Sequence, residues 1–280
     1  MKILHIGKYG EISEILKKEA ENRGHIYTIL SSLNINIEFN STLIIKGKSI
    51  DLLDFDIYYF RGIKRNLAEI IAMYLKSKGK IVIDEDLSFK KILDFKNIYP
   101  PTSNIFIQFP PFILFPNKQN IESFEYPAIL KDTYGKKGRN VYFVKSSKEV
   151  QKIMLKHNDI TFMLQKYIDA KKEIRTIFIG DEILPLGMEK INDTNIIKNI
   201  YQGAIGKKYV LNDKEITITK NCKLLTKLDI GGVDLIQDQN NKYFVLEINR
   251  APVFLEFNKA TGIKVEEKII DFMEQKCNYG

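Results

Sequence analysis

Apolar positions in the first part of the chain switch repeatedly between two periods. Met1–Ile6 is a short apolar run, and Glu11–Asn22 then sets Ile12, Ile15, Leu16 and Ala20 at helical spacing before Gly24. His25–Leu30 predicts a second strand, and Ile37–Ile50 a hairpin turning at Lys46–Lys48 around Gly47. Ile57–Phe60 predicts a third core strand, Leu67–Leu75 a helix closed by Gly79, and Lys80–Asp84 a fourth strand. Strand and helix in alternation imply a small, mostly parallel sheet, an α/β unit over residues 1–85. From residue 86 the pattern changes. A short helix and the Pro100-Pro101 break lead into a stretch punctuated by Pro110, Pro111 and Pro116, read as a linker with short strands. Beyond it the strands are hairpin-like and helices are interspersed, so residues 86–280 read as α+β. Ser146-Ser147-Lys148-Glu149 is a capping box opening a helix towards Lys156.

Candidate chemistry concentrates late in the chain. Gly231-Gly232-Val233-Asp234-Leu235-Ile236 and Tyr243-Phe244-Val245-Leu246-Glu247-Ile248-Asn249 flank a polar turn at Asn240-Asn241, predicting an antiparallel hairpin. A two- or four-residue loop centred there sets Asp234 opposite Glu247, and the period of two puts Asn249 on the face of Glu247. Like charges directly opposite destabilise a hairpin, so oxygen ligands converging in an apolar sheet call for a hard cation. Mg²⁺ suits best, since it needs few carboxylates and completes its octahedron with water and phosphate oxygens. Two further segments have weaker signals. Tyr126–Lys131 and Asn140–Val144 make a hairpin around a glycine-rich cationic turn whose backbone N–H groups could cradle phosphate. Phe162–Ile168 is an apolar strand whose linker could meet a purine edge, followed by Glu173 and Arg175 on one strand face.

Composition narrows the class without choosing the chemistry. The 280 residues are 44% hydrophobic and 28% charged, which excludes disordered and low-complexity chains. An excess of 43 Lys+Arg over 35 Asp+Glu gives +8, inviting anionic partners. No helix-turn-helix, aromatic platform or zinc module supports nucleic acid. No apolar run approaches the roughly 20 residues of a membrane span, and the start is too quickly broken by Gly7, Lys8 and Gly10 for a signal peptide. Two cysteines, Cys222 and Cys277, make no disulfide framework, and His5, His25 and His157 are scattered, so a reduced, cytoplasmic protein is expected. Gly7-x-x-Gly10 lacks the full dinucleotide pattern.

Taken in order, these pieces resemble the ATP-grasp superfamily, in its RimK-type branch of amino-acid and peptide ligases. The resemblance runs from about Ile57 to Phe272 through Phe60-Arg61-Gly62, Pro101-Thr102, Tyr126–Lys131, Gly135-x-x-Gly138, Leu164–Ile168, Glu173-Ile174-Arg175, Asn199 with Gly203, Gly231–Asp234, Glu247-Ile248-Asn249 and Thr261-Gly262. It implies an α+β ATP-grasp fold preceded by a small α/β domain, with a lid at about 124–168. It further implies ATP contacts from Lys131, Gly135, Gly138, Gln165, Lys166, Tyr167, Glu173, Lys198 and Asn199, with Glu173 on the ribose. Asp234, Glu247 and Asn249 would hold Mg²⁺, with Mn²⁺ as an alternative. Arg175, Lys131 and Asn199 would act on the transferred phosphoryl group. The implied reaction joins a carboxylate to an amine through an acylphosphate, releasing ADP. Arg61, Arg65 and Arg250 are candidates for an acidic amino acid or the carboxylate of a peptide or protein tail, and a homo-oligomer is compatible. The chain departs from the family pattern at four places: Lys90 or Lys91 must replace the usual first phosphate lysine, Ile197-Lys198-Asn199 stands for Arg-Ser-Asn, Arg250 for a small residue, and Glu173 for what is more often Asp. A nucleotide-binding module without catalysis is the alternative, and a basic nucleic-acid-binding protein a more remote one.

Overall fold

A computed structural model describes residues 1–40, 42–84, 107–133, 135, 139–191 and 205–278. The first unit contains β1 (Lys2–Gly7), α1 (Glu11–Asn22), β2 (Ile26–Leu30), β3 (Ile35–Asn40), β4 (Thr42–Gly47), β5 (Ile57–Arg61), α2 (Arg65–Ser77) and β6 (Ile81–Val82). Its main sheet has the order β2-β1-β5-β6 with every pair parallel, as strand–helix alternation predicts. Alternation along β1 and β5 splits the sheet cleanly. Leu4, Ile6, Tyr58 and Phe60 pack with α2 through Ile71 and Leu75, whereas Ile3, Ile57 and Tyr59 face α1 through Leu16 and Ala20.

The predicted hairpin exists, but its turn lies elsewhere. β3 and β4 pair as Phe39↔Leu43 and Asn40↔Thr42, so the chain reverses before Thr42 rather than at Gly47. Gly47 ends β4 instead, and a second tight turn through Ser49 (φ 64°) closes with a Gly47↔Ile50 bridge. A glycine signals a turn without saying which of two adjacent turns joins the strands.

The second sheet is antiparallel, in the order β7 (Phe112–Leu114), β10 (Phe162–Lys166), β8 (Ala128–Asp132), β9 (Val141–Val144). Helices α3 (Lys118–Glu122) and α4 (Ser147–Lys156) cover one face over Leu130, Val144 and Leu164. The capping box at α4 is half as expected: Ser146 Oγ accepts from Glu149 N, but Glu149 Oε2 reaches past Ser146 to Lys145 N.

The third sheet carries β11 (Ala170–Ile179), β12 (Glu182–Ile183), β13 (Leu186–Ile191), β14 (Ile205–Val210), β15 (Ile230–Asp238) and β16 (Tyr243–Arg250). It runs β14-β13-β11-β15-β16, with β12 paired to β11. Helix α5 (Asp213–Thr226) covers one face, with Cys222 against Phe178, Val233, Leu235 and Val245. The opposite face is divided. At one end Ile177, Ile179 and Ile230 join the first sheet, α6 (Leu255–Thr261) and α7 (Val265–Asn278) in a single core that includes Phe254, Phe257 and Ile269. At the other end it is charged. No described helix is long and apolar enough to cross a membrane.

Candidate active site

Register builds the charged end of this face. Arg175 of β11 lies opposite Asp234 of β15, which in turn lies opposite Glu247 of β16, the pairing read from the sequence. Asn249 is opposite Gly232 and donates from Nδ2 to Glu247 Oε1 at 2.6 Å. The loop that produces this pairing is neither of those expected. Asp238 N donates to Lys242 O at 2.9 Å, leaving a three-residue loop with Asn241 left-handed at φ 61°. A bulge between Asp234 and Leu235 compensates by inserting Leu246, so Leu235 faces Val245 while Asp234 faces Glu247. The bulge has a consequence for packing: Val245 enters the α5 core, and Glu247 goes to the charged face.

The sequence did not single out Lys190, on β13. Its neighbours across β11 put it level with Glu173, and its Nζ bonds Glu173 Oε1 at 2.5 Å and lies 3.3 Å from Asp234 Oδ1. Nothing in the run Leu186-Gly187-Met188-Glu189-Lys190-Ile191 marks this lysine, which reads there as half of an ordinary Glu-Lys strand pair. Arg175 grips Asp234 with a two-pronged contact, Nε to Oδ1 at 2.8 Å and Nη2 to Oδ2 at 2.6 Å. Burial alone would raise the Asp234 carboxyl, but Arg175 and then Lys190 outweigh it and hold the group far below the usual carboxylate range. For Glu173 burial wins over Lys190 and pushes the carboxyl up. Burial acts to lower the Lys190 ammonium, and Asp234 and Glu173 reverse that and raise it.

The second sheet contributes its uncovered face. Lys131 Nζ donates to Gln165 Oε1 at 3.0 Å, so these two residues are brought together as neighbours across β8 and β10. Lys166 N donates to Pro111 O at 2.7 Å and Tyr167 N to Pro127 O at 3.2 Å, which leaves their carbonyls as the backbone groups able to meet a base. Tyr167 and Asp169 line an open cleft with Asn240, Lys242 and Phe244, between this linker and the β15–β16 loop. Gly135 lies just beyond β8, its N–H donating back to Asp132 O at 3.2 Å. Gly138, Lys198 and Asn199 lie outside the described residues, as do Lys90, Lys91, Pro101, Thr102 and Gly203, and so does the side chain of Arg65 at the start of α2.

Arg61 ends β5 of the first sheet and Arg250 ends β16 of the third. Arg61 Nη1 donates to the carbonyls of Ala251 at 2.7 Å and Pro252 at 3.1 Å. Arg250 ends β16 with one guanidinium nitrogen buried and without a hydrogen-bond partner, and it acts electrostatically on Tyr59 of β5.

The donor set fits a hard divalent cation. Asp234, Glu247 and Asn249 offer only oxygens of the kind Mg²⁺ takes, on adjacent strands and one face. Among the described residues no group of three or more Asp, Glu, His or Cys side chains is placed to hold a metal ion.

A family model described as the RimK-like ATP-grasp domain matches residues 90–273. A probable alpha-L-glutamate ligase of Haemophilus influenzae (strain PittEE) is 30% identical over 152 residues, covering 53% of this chain and 51% of that protein. N-acetylaspartylglutamate synthase A of Mus musculus is 25% identical over 154 residues, 54% of this chain and 40% of that protein. The matched region thus spans about half the length of the curated relatives, or less. Among solved structures, the ATP-grasp ligase PsnB complexed with minimal precursor, Mg and ADP superposes with a TM-score of 0.71 at 10% identity, over 98% of this chain and 97% of that one. A RimK domain protein ATP-grasp from Sphaerobacter thermophilus DSM 20745 gives 0.68 at 14% identity, over 97% and 99%. These two likenesses show the fold.

Proposed function

The chain belongs to the RimK-like ATP-grasp family, and from that premise we propose that it is an ATP-dependent carboxylate–amine ligase. A substrate carboxylate oxygen attacks the γ-phosphorus of ATP, the bond to the β-phosphate oxygen breaks, and an acylphosphate and ADP result. An amine then attacks the acyl carbon, phosphate leaves, a proton is lost, and an amide remains. The observation that carries this reading is the in-register pair Asp234–Glu247 with Asn249 beside it and Arg175 and Lys190 on the same face. Phosphoryl transfer asks a protein for positioning and charge neutralisation, not for a nucleophile of its own.

In this reading residues 1–85 form the first α/β unit, 86–280 the ATP-grasp unit, and about 124–168 its lid. ATP lies between the second and third sheets. Lys131 and Gln165 approach it from one side, with Gly135, Gly138, Lys198 and Asn199 near the phosphates. The carbonyls of Lys166 and Tyr167 meet the adenine edge, and Glu173 accepts from the ribose. Asp234, Glu247 and Asn249 hold Mg²⁺, which when bound neutralises phosphate charge. Arg175 supplies the guanidinium that neutralises the transferred group. The substrate class is an acidic amino acid such as glutamate, joined to a peptide, protein tail or small acceptor. Arg65 and Arg250 are the candidates for a substrate carboxylate, while the third, Arg61, is engaged by the carbonyls of Ala251 and Pro252. The names of the relatives and the +8 charge both support an anionic substrate.

Hydroxylamine as a surrogate amine provides the test. Protein with MgATP, hydroxylamine and a panel of carboxylate donors, both acidic peptides and acidic amino acids, yields ADP and a hydroxamate with at least one of them. Glu247→Gln and Asp234→Asn each remove at least 99% of that product while circular dichroism stays unchanged, a loss of about 2.7 kcal/mol or more in barrier terms. Nucleotide binding without hydroxamate from any carboxylate donor, acidic peptide or acidic amino acid, would instead mean a binding module, and retained activity in both variants would remove the metal assignment.

A further inference from the structure

Three observations converge on the loop that leaves the proposed metal strand. First, Ala251 is left-handed at φ 49°, a conformation an L-residue keeps only when its surroundings hold it, and it lies two residues beyond Asn249. Second, Pro252 lies over Gly232, where a Cβ would come within 2.8 Å of Pro252 Cβ, and Gly232 is the register partner of Asn249. Third, a single nitrogen of Arg61, from the other unit, donates to the carbonyls of both loop residues. Arg61 is itself fixed from behind. Lys8 N donates to its carbonyl at 3.0 Å, and Gly7 packs so closely that a Cβ there would come within 1.7 Å of that oxygen.

We propose that Arg61 is a positioning residue for the metal-binding strand, so that the first α/β unit tunes the divalent-cation affinity of a site to which it contributes no ligand. This rests on the reading of Asp234, Glu247 and Asn249 as the metal set. Through two carbonyls Arg61 fixes the exit of β16, and with it the position of Asn249 and the Glu247 carboxylate that Asn249 touches. A second link between the units gives a natural control. Asp84 and Asp229 cap each other reciprocally, Asp84 N to Asp229 Oδ2 at 2.5 Å and Asp229 N to Asp84 Oδ1 at 2.9 Å, with Lys276 at 3.2 Å from Asp229. That link holds the start of β15, five residues before Asp234, and does not touch the end of β16.

The test uses the full chain and a fluorescent ADP analogue, titrated with Mg²⁺ from a chelated start. Wild-type protein binds the nucleotide more tightly as Mg²⁺ rises. Arg61→Met raises the Mg²⁺ midpoint about tenfold or more and leaves binding in chelator unchanged, the size expected for losing a charged hydrogen-bond donor. Arg61→Lys, with one ammonium in place of the guanidinium fork, gives a smaller shift in the same direction and carries the test if Arg61→Met does not fold. Asp229→Asn lowers the melting temperature without moving the Mg²⁺ midpoint. An unmoved midpoint in folded Arg61 variants, or an equal shift in Asp229→Asn, overturns the positioning role alone. Wild-type protein whose nucleotide binding ignores Mg²⁺ overturns the metal reading and the positioning role together.

Discussion

His5 has no exposed surface, bonds Tyr27 through Nδ1 at 3.0 Å, and leaves Nε2 buried without a partner. Burial and then the nearby charge of Arg61 lower its pKa from 6.5 to about 4, so it is neutral in the native state across the physiological range. Its effect on stability has a definite sign. Below pH 6.5 the unfolded chain takes up a proton at His5 and the native chain does not until about pH 4, so stability falls as pH falls through that window. The loss attributable to His5 is about 3 kcal/mol. Urea denaturation at pH 7.5 and pH 4.5 is expected to show this loss in wild type and most of it removed in His5→Gln. Equal losses in both proteins would contradict the assignment. Scattered histidines read from the chain alone as unconnected with chemistry, and that reading had no means of distinguishing a buried neutral ring from a solvated one.

At the scale of elements, alternation and turn residues located most strands and helices, because those signals are local. The boundaries of α1 agree with the sequence reading to the residue, and β5 and β10 lie where apolar runs place them. The β15–β16 hairpin is more instructive. Its key pair is right although its loop is not, because the Leu246 bulge offsets a loop of different length, and no local signal marks the bulge. Tight junctions are equally silent. Gly7, which with Gly10 falls short of a dinucleotide turn, has as its neighbour the carbonyl oxygen of Arg61 on the adjoining strand. Gly7→Ala forces the ends of β1 and β5 apart and is expected to cost about 2–3 kcal/mol, measured by urea denaturation at neutral pH. A cost under about 0.5 kcal/mol would show that the strand ends relax freely.

For the molecule as a whole, the core that includes Ile3, Ile57, Ile177, Ile230 and Ile269 belongs to the first and third sheets and α7 at once. Arg23 with Asp271 and His25 with Glu274 reinforce the same contact. The second sheet packs around a separate cluster of Leu130, Val144, Val150 and Leu164. Native-state hydrogen exchange is therefore expected to show β1, β5, β11 and β15 opening together in the slowest class, with β8, β9 and β10 opening at lower free energy. Separate slow classes for β1 and β15 would contradict a shared core. The +8 charge acquires a partial location at this scale, with Arg175 and Lys190 buried against carboxylates and Lys131 on the facing sheet. The sequence by itself determined the alternation of the strands, the class of fold and the carboxylate pair on one hairpin, because period, turn chemistry and like-charge repulsion act between near neighbours. Only the tertiary structure decided what neutralises that pair and what holds its strand. Lys190 reaches Asp234 through the order of strands in a sheet, which distant packing sets, and Arg61 binds carbonyl oxygens, which every residue carries and no residue type announces.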